Sequence, residues 1–496
     1  MKCKMRTNNR FTVGRSVSLG ITLILATNVL VACSRGVDDE GKREVLRIGV
    51  LYNSKDNESG IRQELTDDYE LTHPNVDIEL TSAINMDDER IESFSGNLDR
   101  PKLYEALKQM LGGNNPVDVV ILDDATYLHR LTQDNLLTPL DPLLQEDKFD
   151  LDDYLPKVVN GLRDTDDHSI YALTPTFAGT ALYYNKRLFA DAGIAPPTDN
   201  MLWPDVLMLA KKAAAGEGKN RKFGLSFDRW GANGLNDVLS YSAPLQVKMF
   251  DKQAWKMTVD TPQWNRAWND IAALYTDKTV PTQSDLNSSN DNGNSDLFLK
   301  GRLAMLIGGY DYINTLAAAH TYSSDPVTKS LDWDVVSLPH FVEAPEIGGS
   351  VALTNLMAIG AKAPNKKTAW DFIQYNNSER MAKLKSRSSS NLPIRRSLLK
   401  PKDGMSYNID AFFALDPVPP LEERQELYWD TPNLSPAFKL GQPLFQDVID
   451  GKTTVKDALQ TWQNKGNALM QDIKRNPAAY DNSESHWGGM GWLNVG

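Results

Sequence analysis

Val45-Leu-Arg-Ile-Gly-Val-Leu-Tyr52 carries apolar residues that alternate at first and then run together. This pattern predicts a strand whose second half is enclosed on both faces. A polar turn, Asn53-Ser-Lys-Asp-Asn-Glu-Ser-Gly60, and an amphipathic stretch to Leu71 follow. His73-Pro74-Asn75 then breaks the chain, and Val76-Asp-Ile-Glu-Leu80 alternates strictly, as a half-buried strand does. Strand, helix and strand within about 35 residues form a βαβ unit and imply a parallel α/β sheet. A second unit follows: a helix near Lys102–Leu111, the turn Gly112-Gly-Asn-Asn-Pro116 and a buried strand over Val117–Leu122. Strands and helices alternate to the end without a repeat or a coiled-coil seam. The polar run 283–296 (QSDLNSSNDNGNSD) reads as a mobile surface loop.

Upstream of this body, Lys2, Lys4, Arg6, Arg10 and Arg15 precede an apolar run from Val17 to Val31 with no acidic residue between them. A basic start and a short apolar core describe a secretory signal, and the run is too short for a permanent membrane span. Leu30-Val-Ala-Cys33 resembles the bacterial lipobox, in which the cysteine becomes the lipidated first residue. Residues 1–32 are then a signal peptide and 33–44 a charged tether. Diacylation at Cys33 supplies the two chains that stable anchoring at the cell membrane requires.

The 496 residues suffice for two or three domains. The net charge is −12, and it becomes −17 once the five basic residues leave with the signal. This balance argues against docking on nucleic acid, which needs basic stripes. Two cysteines at positions 3 and 33 exclude a disulfide framework. All 11 tryptophans lie beyond residue 200, so the second half carries the indoles.

Several segments in order resemble one family. They are Ala181-Leu-Tyr-Tyr-Asn-Lys-Arg-Leu-Phe-Ala-Asp-Ala-Gly-Ile-Ala-Pro-Pro197 continuing to Trp203, and Phe298-Leu-Lys-Gly-Arg-Leu-Ala-Met305 followed by Gly308-Gly-Tyr310. Pro339, Gly349-Ser350, Ile359 and Ala369-Trp-Asp-Phe-Ile373 continue the series, and Gly451-Lys-Thr-Thr-Val-Lys-Asp-Ala-Leu459 ends it. Together they resemble the bacterial extracellular solute-binding proteins that deliver sugars to ABC importers. The resemblance implies a type II periplasmic-binding-protein fold, with two α/β lobes that close on ligand by hinge motion. It places 45–175 with 341–395 in the first lobe and 176–340 with 396–496 in the second. It also implies a monomer without cofactor or metal, held on the extracytoplasmic face of the membrane. Its partners are a carbohydrate and an importer's membrane subunits.

Ligands of such α/β folds bind at loops on the carboxyl ends of strands. A sugar lays its C–H face on an aromatic ring and offers hydroxyls to carboxylates or amides. These rules single out Asn53 after the first strand, and Asp123, Asp124 and Thr126 after the strand ending at Leu122. Asp124 reads equally as a helix N-cap. Phe177 lies at the first crossover, as ligand contact or as core. In the second lobe the resemblance points to Tyr310 with Asp311, and less directly to Phe438. Trp230, among turn residues, reads as partly exposed, and Ser350 as cleft floor. Trp264 and Trp268, four apart and followed by Ile271, Leu274 and Tyr275, form a core stripe. Trp203 and Trp370 match structural positions of the family.

Two other functions compete. Enzymatic sites are poorly represented: the six histidines are scattered, and Gly451-Lys-Thr453 lacks the leading glycine of a P-loop at Gln446. Acidic pairs such as Asp87-Asp88 and Asp166-Asp167 leave glycan hydrolysis open. A binding lipoprotein for a peptide, polyamine or metal chelate is the second competitor.

Overall fold

The computed structural model describes residues 43–89, 100–123, 125–230, 234–288, 296–349, 351–388, 390–402, 404–419 and 434–480. The signal, Cys33, nearly all of the tether, Asp124, Ser350 and the tail after 480 lie outside these residues. In chain order the strands are β1 (Glu44–Asn53), β2 (Val76–Asn85), β3 (Val119–Leu122), β4 (Ala172–Leu173), β5 (Thr176–Asn185) and β6 (Phe223–Ser226). A small hairpin follows, β7 (Phe250–Asp251) with β8 (Lys256–Met257), then β9 (Leu303–Gly309), β10 (Trp333–Val336) and β11 (Ile347–Gly349). The last four are β12 (Val351–Leu353), β13 (Leu356–Ile359), β14 (Leu392–Pro393) and β15 (Asp416–Pro417).

The first sheet has the order β2-β1-β3-β13-β4. β1 runs parallel to β2 and β3, while β13 runs antiparallel to β3 and β4. The expected βαβ unit is present, its helix broken into Lys55–Leu65 and Asp67–Thr72 at the buried Thr66. β1 is enclosed from Ile48 to Leu51 because helices cover both faces of such a sheet. At the amino edge, the fully buried Asp118 accepts hydrogen bonds from the backbone N–H of Arg47 (3.0 Å) and of Asn365 (2.7 Å). β1 and the start of the helix Lys366–Asn376, far apart in sequence, are thereby fastened.

The second sheet has the order β10-β5-β9-β6. β5 is the link between sheets. Its first residues, Thr176–Gly179, pair with β12 and β14, and Thr180–Asn185 pair with β9 and β10. The two-residue period of this strand divides two hydrophobic cores: Ala181 and Tyr183 enter the first, Leu182 and Tyr184 the second. The motif around Tyr184-Asn185-Lys186 has a local cause. The Asn185 side chain caps the helix Lys186–Ala192 by accepting from the N–H of Arg187 and Leu188, and Gly193 ends it at φ 67°. Trp264 and Trp268 are buried on the helix Pro262–Thr276, against Trp462 of the helix Val455–Arg475, as their spacing predicts. Trp203 and Trp370 are buried as well. The helix Trp203–Ala213 lies so close to β6 that a Cβ on Gly224 would meet the Ala210 carbonyl oxygen at 1.9 Å.

Candidate functional site

Parallel pairing puts the carboxyl ends of β1 and β3 on one edge of the first sheet, and those of β6 and β9 on one edge of the second. Both edges adjoin the crossover, since β5 leaves the first sheet directly after β4 and its Thr180 pairs with Gly309 at the end of β9. On the first edge Asn53 is half-buried, and its Oδ1 accepts the Ser54 N–H at 2.8 Å. That contact orients Ser54, which in turn caps the helix beginning at Lys55. Asp123 is exposed and Thr126, on the helix Ala125–Gln133, is half-buried. Asn53, Asp123 and Thr126 thus share one edge.

On the second edge the chain after β6 runs Phe227-Asp228-Arg229-Trp230. Trp230 is 59% exposed, the most exposed tryptophan among the described residues. Its N–H donates to the Asp228 carboxylate at 2.7 Å, which holds the turn. The Arg229 guanidinium lies between two rings, 4.1 Å from the centroid of Trp230 and 4.4 Å from that of Tyr312. Its Nε donates to Asp296 at 2.7 Å. Asp296 is almost wholly buried and also accepts from the Tyr312 hydroxyl (2.9 Å) and the N–H groups of Phe298 and Leu299. Burial and the Asp296 charge push the Tyr312 hydroxyl well above its ordinary pKa, against the opposing pull of Arg229. The result is a rigid column, carboxylate to guanidinium to indole, that presents one face of an aromatic ring to solvent.

The loop expectation for 283–296 is corrected at its two ends, while 289–295 lie outside the described residues. Gln283–Ser288 is a helix with Leu286 buried, and Asp296 is an internal anion. An aspartate directly before the apolar run Leu297-Phe-Leu299 is a capping signal that was available in the sequence. Arg229 and Tyr312 gave no comparable local signal, because what recruits them lies 67 and 16 residues away at Asp296.

Three aromatic candidates are corrected by their burial. Tyr310 is 4% exposed: Phe412 meets it edge-on at 5.3 Å, the Tyr407 hydroxyl lies 3.4 Å from its own, and Lys402 Nζ stands 5.4 Å from its ring. Phe177 is fully buried against Phe413, and Phe438 is buried against Phe250 in the second core. A ring enclosed on all sides has no face to offer a ligand in this conformation. The glycines before Tyr310 serve packing. A Cβ on Gly308 would meet the Tyr183 ring at 3.1 Å, and one on Gly309 would meet Asp311 Oδ1 at 2.4 Å. Asp311 itself is exposed, at the start of the helix Tyr312–Tyr322, and so remains on the edge with Trp230.

The sequence pattern of the bacterial extracellular solute-binding proteins matches residues 53–383. The chain belongs to that family. A sugar transporter of Rhizobium etli, solved in an open conformation, is 21% identical, with 86% of this chain and 99% of that one covered and a TM-score of 0.57. A family 1 extracellular solute-binding protein of Alicyclobacillus acidocaldarius is 15% identical over 87% of this chain and 100% of that one, with a TM-score of 0.60. The GacH receptor of Streptomyces glaucescens, solved unliganded and with acarbose, is 20% identical over 86% and 100%, with a TM-score of 0.52. At these identities the likeness establishes the fold, that of type II solute-binding proteins with two α/β lobes. No helix among the described residues is long and apolar enough to cross a membrane.

Proposed function

We propose that this protein captures a carbohydrate between its lobes outside the membrane and delivers it to the membrane subunits of an ABC importer. The observation that carries the reading is Trp230, an exposed indole backed by a paired guanidinium at the carboxyl edge of the second sheet. An aromatic face of this kind suits the C–H side of a sugar ring. Asp311 on the same edge, with Asn53, Asp123 and Thr126 on the first, supplies acceptors and donors for hydroxyls. Asp124 and Ser350 belong to the proposed site by their position in sequence. The sugar transporter of Rhizobium etli and the acarbose-bound GacH receptor support a carbohydrate as the solute. The role is binding and release, not catalysis.

The lobe limits of this proposal are 45–175 with 341–395, and 176–340 with 396–496. The protein acts as a monomer, tethered through lipid on Cys33 after removal of residues 1–32. Thermal unfolding with a panel of mono- and oligosaccharides, peptides and polyamines tests the reading. A bound solute raises stability by mass action, by about 2.7 kcal/mol at a hundredfold excess over Kd. A rise with a carbohydrate is expected. A rise confined to a peptide or polyamine refutes the sugar assignment.

A further inference from the structure

A pocket of about 370 Å³ lies between the helices Lys55–Leu65 and Asp67–Thr72 on one side and Lys366–Asn376 and Glu379–Ser388 on the other. A pocket of this size is in the range that holds a small molecule. It contains a buried lysine that the solute cleft does not use. Lys385 is 8% exposed, and among the described residues its Nζ makes one hydrogen bond, to the Glu64 carbonyl oxygen at 3.2 Å. An ammonium has three donors, so two are left for an occupant. Burial pushes the Lys385 pKa down while the Glu64 carboxylate opposes the shift.

A second polar group on the same wall is short of a partner of the opposite kind. Asn376 is 1% exposed; its Nδ2 donates to the Phe372 carbonyl at 3.1 Å, and its Oδ1 is buried with no donor among the described residues. A buried acceptor without a partner is costly and rarely left so. Lys385 has donors to spare for an occupant. The remaining lining fixes the class of occupant. Glu64 and Asp68 are both in the wall, but Asp68 is paired with the Arg380 guanidinium at 3.3 Å and accepts from the Tyr375 hydroxyl, so Glu64 balances Lys385 and the pocket suits a neutral occupant. Leu65, Tyr69 and Met381 give it an apolar side.

We propose that this pocket is a second binding site, for a small neutral polyol, whose hydroxyls accept from Lys385 and donate to the wall carboxylates. None of its lining residues is among those of the proposed solute cleft, and the site stands whether or not the cleft binds sugar. Its floor reaches the crossover: Asn391 in the wall immediately precedes β14, and the neighbouring Ser390 accepts a hydrogen bond from Asn314 of the helix Tyr312–Tyr322 at 3.2 Å. An occupant thus sits beside β14, which pairs with the first residues of β5.

Calorimetric titration of the full chain with sorbitol, and separately with citrate, tests the proposal in the wild type and in three variants. Trp230→Ala removes the cleft's aromatic face. Lys385→Met removes the ammonium, and Gln63→Trp, at an exposed position on the rim, narrows the mouth while leaving Lys385 in place. Sorbitol is expected to bind the wild type and Trp230→Ala alike. It should bind Lys385→Met and Gln63→Trp at least about tenfold more weakly, the loss expected for a hydrogen bond from a charged donor. If Lys385→Met fails to fold, Gln63→Trp decides. Loss of sorbitol binding in Trp230→Ala assigns it to the cleft and overturns the proposal. So does binding indifferent to the pocket variants, an absence of sorbitol binding, or binding of citrate in its place.

Discussion

Replacing Trp230 by alanine separates the exposed aromatic from the buried one that the family resemblance favours. A tryptophan presents up to about 250 Å² of burial, and Trp230 is 59% exposed. Roughly 150 Å² is thus open to a ligand, and a sugar ring lying on one face covers about half of it. At about 25 cal/mol per Å² the lost burial is worth about 2 kcal/mol, roughly a 25-fold rise in Kd. Folding stability should scarcely change, because Arg229 keeps Asp296 and the Tyr312 ring. Tyr310→Ala should do the reverse. It empties a site enclosed by Phe412 and Tyr407 and should cost about 3–5 kcal/mol of stability, as large aromatic truncations in cores do. The assay pairs isothermal titration, using the carbohydrate that stabilises the wild type most, with urea unfolding of both variants. A Trp230→Ala protein that binds within about twofold of wild type refutes the assignment of the indole to the ligand. A Tyr310→Ala protein as stable as wild type refutes the burial argument.

Three further outcomes are expected. Asp296→Asn leaves the Arg229 guanidinium without its charge partner and should lower stability by about 3 kcal/mol in urea unfolding, since breaking a buried pair costs more than the pair contributes; an unchanged midpoint would falsify the column. Asp237 is enclosed, and burial pushes its pKa up to about 7 against a hydrogen bond from Tyr275. Because the folded pKa lies above the unfolded one, its contribution is complete below about pH 4 and is lost as pH rises towards about 7, on the order of 4 kcal/mol in all. Asp237→Asn should flatten that decline, so denaturant midpoints for variant and wild type that run parallel from acid to neutral pH contradict it. Gly224→Ala forces a methyl onto the Ala210 carbonyl and should destabilise by about 1–3 kcal/mol, visible as a lower melting temperature.

Much of the fold was legible because burial leaves a period in the sequence. The run 45–52 and the alternation at 76–80 read directly as β1 and β2, and the four-residue spacing of Trp264 and Trp268 as a buried face. The site was legible only in part. Trp230 was exposed because its neighbours are turn residues, a local property. The enclosure of Tyr310 depends on Tyr407 and Phe412, about a hundred residues further on, and no local pattern reports such a partner. Asp296 was legible as a cap but not as a buried anion. Its polar neighbourhood describes the chain on one side of it, while its burial is decided by Arg229 and Tyr312.

The place of β13 in the first sheet bears on the order in which the molecule can be made. β13 lies between β3 and β4, pairing Ile359 with Val119 and Met357 with Leu173. Until residue 359 has emerged, β3 and β4 each present an unsatisfied edge, and the first sheet exists only as fragments. A chain growing from its amino end therefore cannot finish this sheet before β5, β6, β9 and β10 of the second have been synthesised. Closure over such sequence separations is slow, and the waiting strand edges are open to pairing with other chains. A chaperone that shields them would act on the nascent protein before β13 arrives and have no substrate afterwards.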